Sequence, residues 1–310
     1  MKRTVVSLLA GLVFAFPLAF AFPTTALATL EQGLDAYRKG DYVFALKAWQ
    51  PLATKGNPDA QNNLGVLYEK GQGVERNFVE SVNWYRRAAE QGHAQAQNNV
   101  GVMYERGLGV KPDAKEAASW YLKAAQRGNP NAQNNLGVLY FSGRGVPQDY
   151  VQAMQWYRRA AAQNNINAMN NIGVLFERGH GVAQNYAEAA QWYRRAAERG
   201  QPQAQNNLGV LYEKGLGVPR DMSVAHNWYR SAADQGHAQA QNNLGVLYGS
   251  GRGVAADMTQ AYVWFSLAAA RGNIDAANNR DAADRRLTPE QREQAQKDVQ
   301  AWKPKLTASR

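Results

Sequence analysis

The side chains most often used for catalysis and metal binding are scarce in this sequence and poorly spaced for either role. Its four histidines are His93, His180, His226 and His237, and no two are four residues apart, as a helical H-E-x-x-H zinc site requires. The chain has no cysteine, which excludes a thiol nucleophile, a thiolate metal site and a disulfide framework. We therefore predict neither a metal site nor a cofactor.

No nucleophile or phosphate loop compensates for this scarcity. No serine lies in a G-x-S-x-G elbow. The recurring G-x-G-V segments lack the Lys-Ser/Thr ending of a phosphate loop and follow a predicted helix instead of a strand. Carboxylates recur at Glu69, Glu105, Glu177 and Glu213, which we interpret as a solvated face. We predict that the protein is not an enzyme; a hydrolase of cell-wall-like substrates is the alternative.

Asparagines form the most regular polar pattern, in two adjacent rows. An amide both donates and accepts, so a row of them can pair with the backbone of an extended peptide of any sequence. The alternative is a ladder that joins one helix to the next. We predict a partner-binding groove for the first row, with the ladder as the open alternative, and favour the ladder for the second row. The first row is Asn62, Asn98, Asn134, Asn170, Asn206 and Asn242; the second is Asn63, Asn99, Asn135, Asn171, Asn207 and Asn243.

Arginines recur near the C-termini of predicted helices, where positive charge complements the helix dipole. A solvated face is one interpretation, and attraction to an anionic envelope polymer or surface is the other. The formal net charge of +10 is modest and no nucleic-acid recognition module occurs, so we predict no nucleic-acid binding. The basic face consists of Arg86, Arg87, Arg158, Arg159, Arg194 and Arg195.

These residues belong to a 36-residue motif that the chain repeats six times. The run A-Q-N-N-L-G-V-L-Y, first seen at residues 60–68, predicts one helix because its apolar residues have helical spacing. A glycine-containing turn follows, and then an Asn or Asp predicts the N-cap of a second helix. One such hairpin cannot bury its apolar face alone, so the copies must stack. We predict an all-α fold, an α/α superhelical solenoid.

The six repeats span residues 57–272, and both flanks look like caps. Residues 29–56 form a shorter N-terminal hairpin whose G-D-Y turn lacks the long G-x-G-V connection. Residues 273–310 begin as a partial repeat and continue into a C-terminal capping helix. The T-P-E-Q sequence at the start of that helix predicts a capping box with proline at the first helical position.

Residues 1–28 are predicted to be a signal peptide. Two basic residues precede an uncharged apolar stretch from Val5 to Phe22, and the A-L-A sequence ending at Ala28 matches a cleavage site. An uncleaved membrane anchor is the alternative, because about 18 apolar residues approach the length that spans a bilayer. We predict export to a periplasm or to the outside of the cell, with cleavage near Ala28.

The motif A-x-x-N-L-G-x-L-Y-x-x-G-x-G-V, followed by A-x-x-W-Y-x-x-A-A-x-x-G, resembles the Sel1-like repeat family, a relative of the tetratricopeptide repeats. The resemblance covers residues 57–272 almost fully, and residues 29–56 look more like a plain tetratricopeptide hairpin. It implies a superhelix whose first helices line a concave face and which acts as an adaptor in protein complexes, often in bacterial envelopes. We therefore expect a monomeric, exported scaffold that binds a protein or peptide in the concave groove.

Overall fold

The repetition in the sequence gives an equally regular repetition of helices. In the computed structural model, which describes residues 29–305, every regular element is an α-helix. Helices α1 and α2 form a hairpin before the first repeat, α3 to α14 form six repeat hairpins, and α15 and α16 follow. The bounds are α1 Leu30–Arg38, α2 Tyr42–Thr54, α3 Pro58–Lys70, α4 Phe78–Glu90, α5 Ala94–Arg106, α6 Ala114–Gln126, α7 Pro130–Ser142, α8 Tyr150–Ala162, α9 Ile166–Arg178, α10 Tyr186–Ala197, α11 Pro202–Lys214, α12 Met222–Asp234, α13 Ala238–Ser250, α14 Met258–Ala269, α15 Ile274–Asp284 and α16 Pro289–Ala301.

Side-chain caps and left-handed turns set the ends of these helices. The side chain of Asn77 accepts hydrogen bonds from the backbone N–H groups of Val79 and Glu80 at 3.0 and 3.1 Å. The equivalent Asp or Asn caps the second helix in each of the remaining five repeats, as the sequence predicts. The first helix of the first repeat ends at Gly71, whose φ of 66° lies in the left-handed region that favours glycine.

A glycine inside each first helix brings the two helices of a hairpin close together. A Cβ on Gly137 would lie 2.6 Å from the ring of Tyr157, well inside contact distance. The same contact joins Gly65 to Tyr85, and it recurs in every repeat with a tyrosine or, in the sixth repeat, a phenylalanine. The aromatic ring therefore occupies the space that a larger residue on the first helix would take.

Stacking of the hairpins buries apolar clusters between neighbouring helices along the solenoid. Each second helix packs against the first helix of the next repeat, and the apolar cluster around Tyr157 and Tyr193 contains residues of three consecutive repeats. Leu287 and Ala295 near the C-terminus are buried in the cluster of the last two repeats, and the predicted capping box at Thr288 is present. The prediction of an all-α superhelical solenoid is confirmed.

Candidate binding surfaces

One side of each first helix stays partly exposed to solvent. Its four positions have the helical spacing i, i+4, i+7 and i+11 and are occupied in the first repeat by Asp59, Asn63, Val66 and Lys70. In all six repeats the outer two positions are exposed and the inner two are half-buried. We call this surface the first-helix face.

The two asparagine rows join into a single ladder that runs beside this face. The Nδ2 of Asn99 donates to the Oδ1 of Asn62 at 3.1 Å, so the second asparagine of one repeat binds the first asparagine of the repeat before it. The same bond recurs at every later junction, at 3.0 to 3.2 Å. Its last rung runs from Asn279 in α15 to Asn242. The ladder therefore connects the first helices of all six repeats with α15.

This arrangement buries the first asparagine row. The six side chains are between 4 and 8 % exposed. The side-chain oxygen Oδ1 of each accepts a hydrogen bond from the first helix of the following repeat or, for Asn242, from α15. The expectation that this row lies open along a groove is therefore corrected, because stacking places it under the next first helix. The half-buried second row reaches the first-helix face instead. A partner-binding role for the first row stays a prediction; its members are Asn62, Asn98, Asn134, Asn170, Asn206 and Asn242.

A second amide ladder lies deeper between the repeats and was missed by the sequence analysis. The Nε2 of Gln133 donates to the carbonyl oxygen of Ala125 at 3.1 Å, and its Oε1 accepts from Gln163 at 2.9 Å. The glutamine before the asparagine pair makes the first of these bonds in four other repeats. The recurrence of this glutamine in the sequence could have indicated the second ladder. The fourth repeat departs from this pattern, because Met169 takes the place of the glutamine.

The recurring glutamates do not form the solvated face that the sequence suggested. The hydroxyl of Tyr85 donates to the carboxylate of Glu69 at 2.6 Å, and the same pair occurs in the second, fourth and fifth repeats. Burial, reinforced by the nearby carboxylate, raises the pKa of Tyr85, because a phenolate there would lose hydration and face a negative charge. The tyrosine stays a protonated donor, and the glutamate is its internal acceptor.

The basic face lies on the second helices α4, α8 and α10. Five of its six arginines are exposed and Arg86 is half-buried. Within residues 29–305 none of the six lies within ion-pair distance of a carboxylate. The second arginine of each pair stacks on a tryptophan of its own helix, which fixes the direction of the guanidinium. These pairs are Arg87 with Trp84 at 4.5 Å, Arg159 with Trp156 at 4.5 Å and Arg195 with Trp192 at 4.6 Å.

Comparisons with known proteins agree with this repeating geometry. The Sel1 repeat family model matches six consecutive segments, at residues 58–93, 94–129, 130–165, 166–201, 202–237 and 238–273. The chain belongs to the Sel1 repeat family. Sel1 repeat proteins generally serve as scaffolds for protein–protein interactions, and the fold is typically non-catalytic.

Two solved structures show the same Sel1 repeat architecture. The Sel1 repeat protein from Oxalobacter formigenes is 36% identical with a TM-score of 0.73, and the match covers 77% of this chain and 96% of that one. The protective antigen c5321 of uropathogenic Escherichia coli strains is 34% identical with a TM-score of 0.59, over 86% of this chain and 66% of that one. A comparison with curated proteins found no match.

Two of the four histidines serve as caps at the start of Sel1 repeats. The Nδ1 of His93 accepts a hydrogen bond from the backbone N–H of Ala96 at 3.0 Å, so its Nε2 carries the hydrogen and donates to Asp59 at 3.1 Å. His237 caps its helix in the same way, and burial lowers its pKa, which favours the neutral imidazole that this cap requires. In the described part of the chain, no three His, Asp or Glu residues are grouped to hold a metal ion.

The N-terminal segment predicted to direct export, residues 1–28, lies outside the described residues. From residue 29 to residue 305, no helix has both the length and the apolar character needed to cross a membrane.

Proposed function

We propose that this protein is a non-enzymatic scaffold that binds an extended segment of a partner protein along the first-helix face. The observation that supports this proposal is the sixfold recurrence of a half-buried Asn-Val pair between two exposed polar positions, on one continuous side of the solenoid. Asparagine offers backbone-like donors and acceptors, and valine offers apolar contact, so both suit a peptide main chain and its small side chains.

Arginine side chains at one end of the first-helix face allow the proposed binding to be tested. Arg106 and Arg178 are exposed at the C-termini of α5 and α9. The double variant Arg106→Glu/Arg178→Glu reverses charge on the first-helix face. The control variant Arg87→Glu/Arg159→Glu makes the same change in net charge on the second helices, so general electrostatic attraction falls equally in both.

Capture of partner proteins from an envelope extract, followed by mass spectrometry, distinguishes the two surfaces. We expect a discrete partner that the wild type and the Arg87→Glu/Arg159→Glu control retain and the Arg106→Glu/Arg178→Glu variant loses. Loss in the control alone would contradict the proposal and favour the second candidate, an envelope-polymer-binding protein. That candidate is supported by the exposed arginines of the basic face, which lack carboxylate partners among residues 29–305.

We also propose that the protein is exported, on the basis of the charge and apolar pattern of residues 1–28. Fusion of a reporter enzyme that is active only outside the cytoplasm to the C-terminus tests this proposal. We expect activity from the full chain and none after deletion of residues 2–28. Reporter activity that survives the deletion would contradict it.

A further inference from the structure

The outer groove between the second helices of the third and fourth repeats is an open cavity of about 500 Å³. Its floor is the buried Met169 and the half-buried Trp192, and its exposed rim carries three arginines. We call it the third–fourth groove; it is lined by Arg158, Asn164, Met169, Trp192, Arg195 and Arg199.

The equivalent groove two repeats further along, the fifth–sixth groove, already holds an extended segment of this chain. The ring of Trp302 stacks on the guanidinium of Arg271 at 4.6 Å and lies against Gly236. Lys305 follows, and its backbone N–H donates to the carbonyl oxygen of Asp234 at 2.7 Å while its Nζ pairs with the Asp234 carboxylate at 2.8 Å. A groove of this shape therefore accepts an aromatic side chain followed by a charged residue.

The third–fourth groove has the same aromatic-binding arginine in the same conformation. In the filled groove an Nη of Arg271 donates to the carbonyl oxygen of Leu267 at 3.0 Å. In the open groove Arg199, the equivalent residue, makes the same bond to the carbonyl oxygen of Arg195 at 2.8 Å. No aromatic ring in residues 29–305 stacks on Arg199. Its guanidinium is held in place by the bond to Arg195, beside Asn164 at the position of Gly236.

The third–fourth groove is more positively charged than the filled groove, which contains Asp234 beside Arg230 and Arg271. Ala162 replaces the carboxylate that Asp234 provides in the filled groove, and Arg195 replaces its Leu267. The third–fourth groove therefore has no carboxylate among its lining residues. The first–second junction has an Arg127 equivalent to Arg199, but it also carries Glu90 at the position of Ala162.

A second departure leaves another cation of this groove unpaired. Arg194, in the next repeat, donates to the hydroxyl of Tyr212 at 2.6 Å. Arg158 occupies the equivalent position in the third repeat, but its counterpart in the following first helix is Phe176, which has no hydroxyl. Within residues 29–305 Arg158 makes no hydrogen bond or ion pair.

We propose that the third–fourth groove binds an acidic segment of a partner protein that carries an aromatic side chain. The aromatic ring stacks on Arg199, above Met169, as Trp302 stacks on Arg271. Flanking carboxylates pair with Arg158 and with the exposed edge of the Arg195 guanidinium. The inference rests on the proposed protein-binding function and adds a second contact on the second helices, away from the first-helix face. The chain's own tail does not fit, because its lysines would meet like charges.

Fluorescence anisotropy with a defined probe tests this inference on the purified protein. The probe is a fluorescein-labelled peptide of sequence Gly-Asp-Glu-Trp-Glu-Asp-Gly. Arg199→Gln should weaken its binding about tenfold, because the cation–π contact between the tryptophan ring and the guanidinium is lost. Ala162→Glu, which restores the carboxylate found at the first–second junction, should weaken it by a similar factor. Arg127→Gln is the matched control and should leave the affinity within about twofold.

The comparison peptides separate this site from simple charge attraction. We expect Gly-Asp-Glu-Ala-Glu-Asp-Gly to bind more weakly than the tryptophan peptide, and Gly-Lys-Lys-Trp-Lys-Lys-Gly not to bind. The inference fails if Arg127→Gln weakens binding as much as Arg199→Gln, if the alanine peptide binds equally well, or if millimolar inorganic phosphate displaces the probe completely. The Arg106→Glu/Arg178→Glu variant should bind the probe normally, so a failure of the first-helix face is distinguishable from a failure of this groove.

Discussion

The groove between the fifth and sixth repeats is filled by the chain's own Trp302 and Lys305, whereas the groove between the third and fourth repeats is open. Both have the same arginine in the same hydrogen bond, Arg271 in one and Arg199 in the other. They differ in the residues around it, above all in the exchange of Asp234 for Ala162. A repeat protein can thus keep one shape along its length and change the occupant of each groove through a few charged positions.

The contact of Trp302 with its groove should give the largest difference in stability between the two regions. Trp302→Ala removes a half-buried ring and leaves Arg271 without its stacking partner, so we expect the free energy of unfolding to fall by about 2 kcal/mol. Arg199→Gln in the open groove should change it by less than about 0.5 kcal/mol, because no ring in the described chain depends on it. Urea denaturation followed by circular dichroism measures both. Equal losses would mean that the tail does not stabilise the fifth–sixth groove.

The glutamine ladder should show a smaller difference. Gln133→Met breaks the bonds to Ala125 and Gln163. The carbonyl oxygen of Ala125 keeps a backbone hydrogen bond from Gly128, and the two lost bonds should cost about 1–2 kcal/mol. The reverse change, Met169→Gln, gives the carbonyl oxygen of Ala161 a further donor beside the backbone N–H of Asn164 while it removes a buried thioether, so we expect a change below about 0.5 kcal/mol. The same denaturation experiment applies. A large loss for Met169→Gln would show that the third–fourth junction needs its apolar floor.

The carboxylate that distinguishes the two grooves should have the smallest effect on stability. Asp234→Asn removes ion pairs with Arg230 at 3.0 Å and Lys305 at 2.8 Å. Lys305 is exposed and Arg230 is half-buried, so solvent screens both pairs and the loss should be about 0.5–1 kcal/mol. Ala162→Asp should form an i,i+4 pair with Arg158 and gain about 0.3 kcal/mol. Thermal unfolding at low and high salt checks both changes. Effects that persist unchanged at about 1 M salt would contradict their electrostatic origin.

The fold could be predicted from the sequence because each local signal is repeated and each one agrees with the others. The apolar spacing of the first helix, the Asn or Asp caps such as Asn77 and the left-handed glycine at Gly71 are all properties of a few neighbouring residues. These features can be predicted without knowing how one hairpin packs on the next. Six copies of a self-consistent hairpin leave stacking as the one arrangement that buries the apolar faces.

The roles of the amides could not be predicted in the same way, because they depend on the offset between stacked repeats. Asn62 and Asn63 are adjacent in sequence, yet one is buried under the following helix and the other is half-buried at the first-helix face. The pairing of Tyr85 with Glu69 joins residues 16 apart across a hairpin, and the sequence alone suggested a solvated glutamate. Identical repeats also hide function, since structural and binding positions recur with the same regularity.

Positions where one repeat departs from the rest are more informative. Met169, Ala162 and Phe176 each replace a residue that takes part in a hydrogen bond or an ion pair in at least one other repeat, and all three affect the third–fourth junction. Each change is visible in the sequence, but their proximity is visible only in the folded chain.

Site-specific photo-crosslinking would test most directly whether this junction holds a partner. A photoreactive amino acid at position 162 lies in the third–fourth groove, and the same residue at position 126 occupies the exposed equivalent site one repeat earlier. After irradiation in an envelope extract and mapping by mass spectrometry, we expect position 162 to crosslink to an acidic, aromatic-containing segment of one protein, and position 126 not to. Equal crosslinking at both positions, or a basic segment at position 162, would contradict a groove selected by charge.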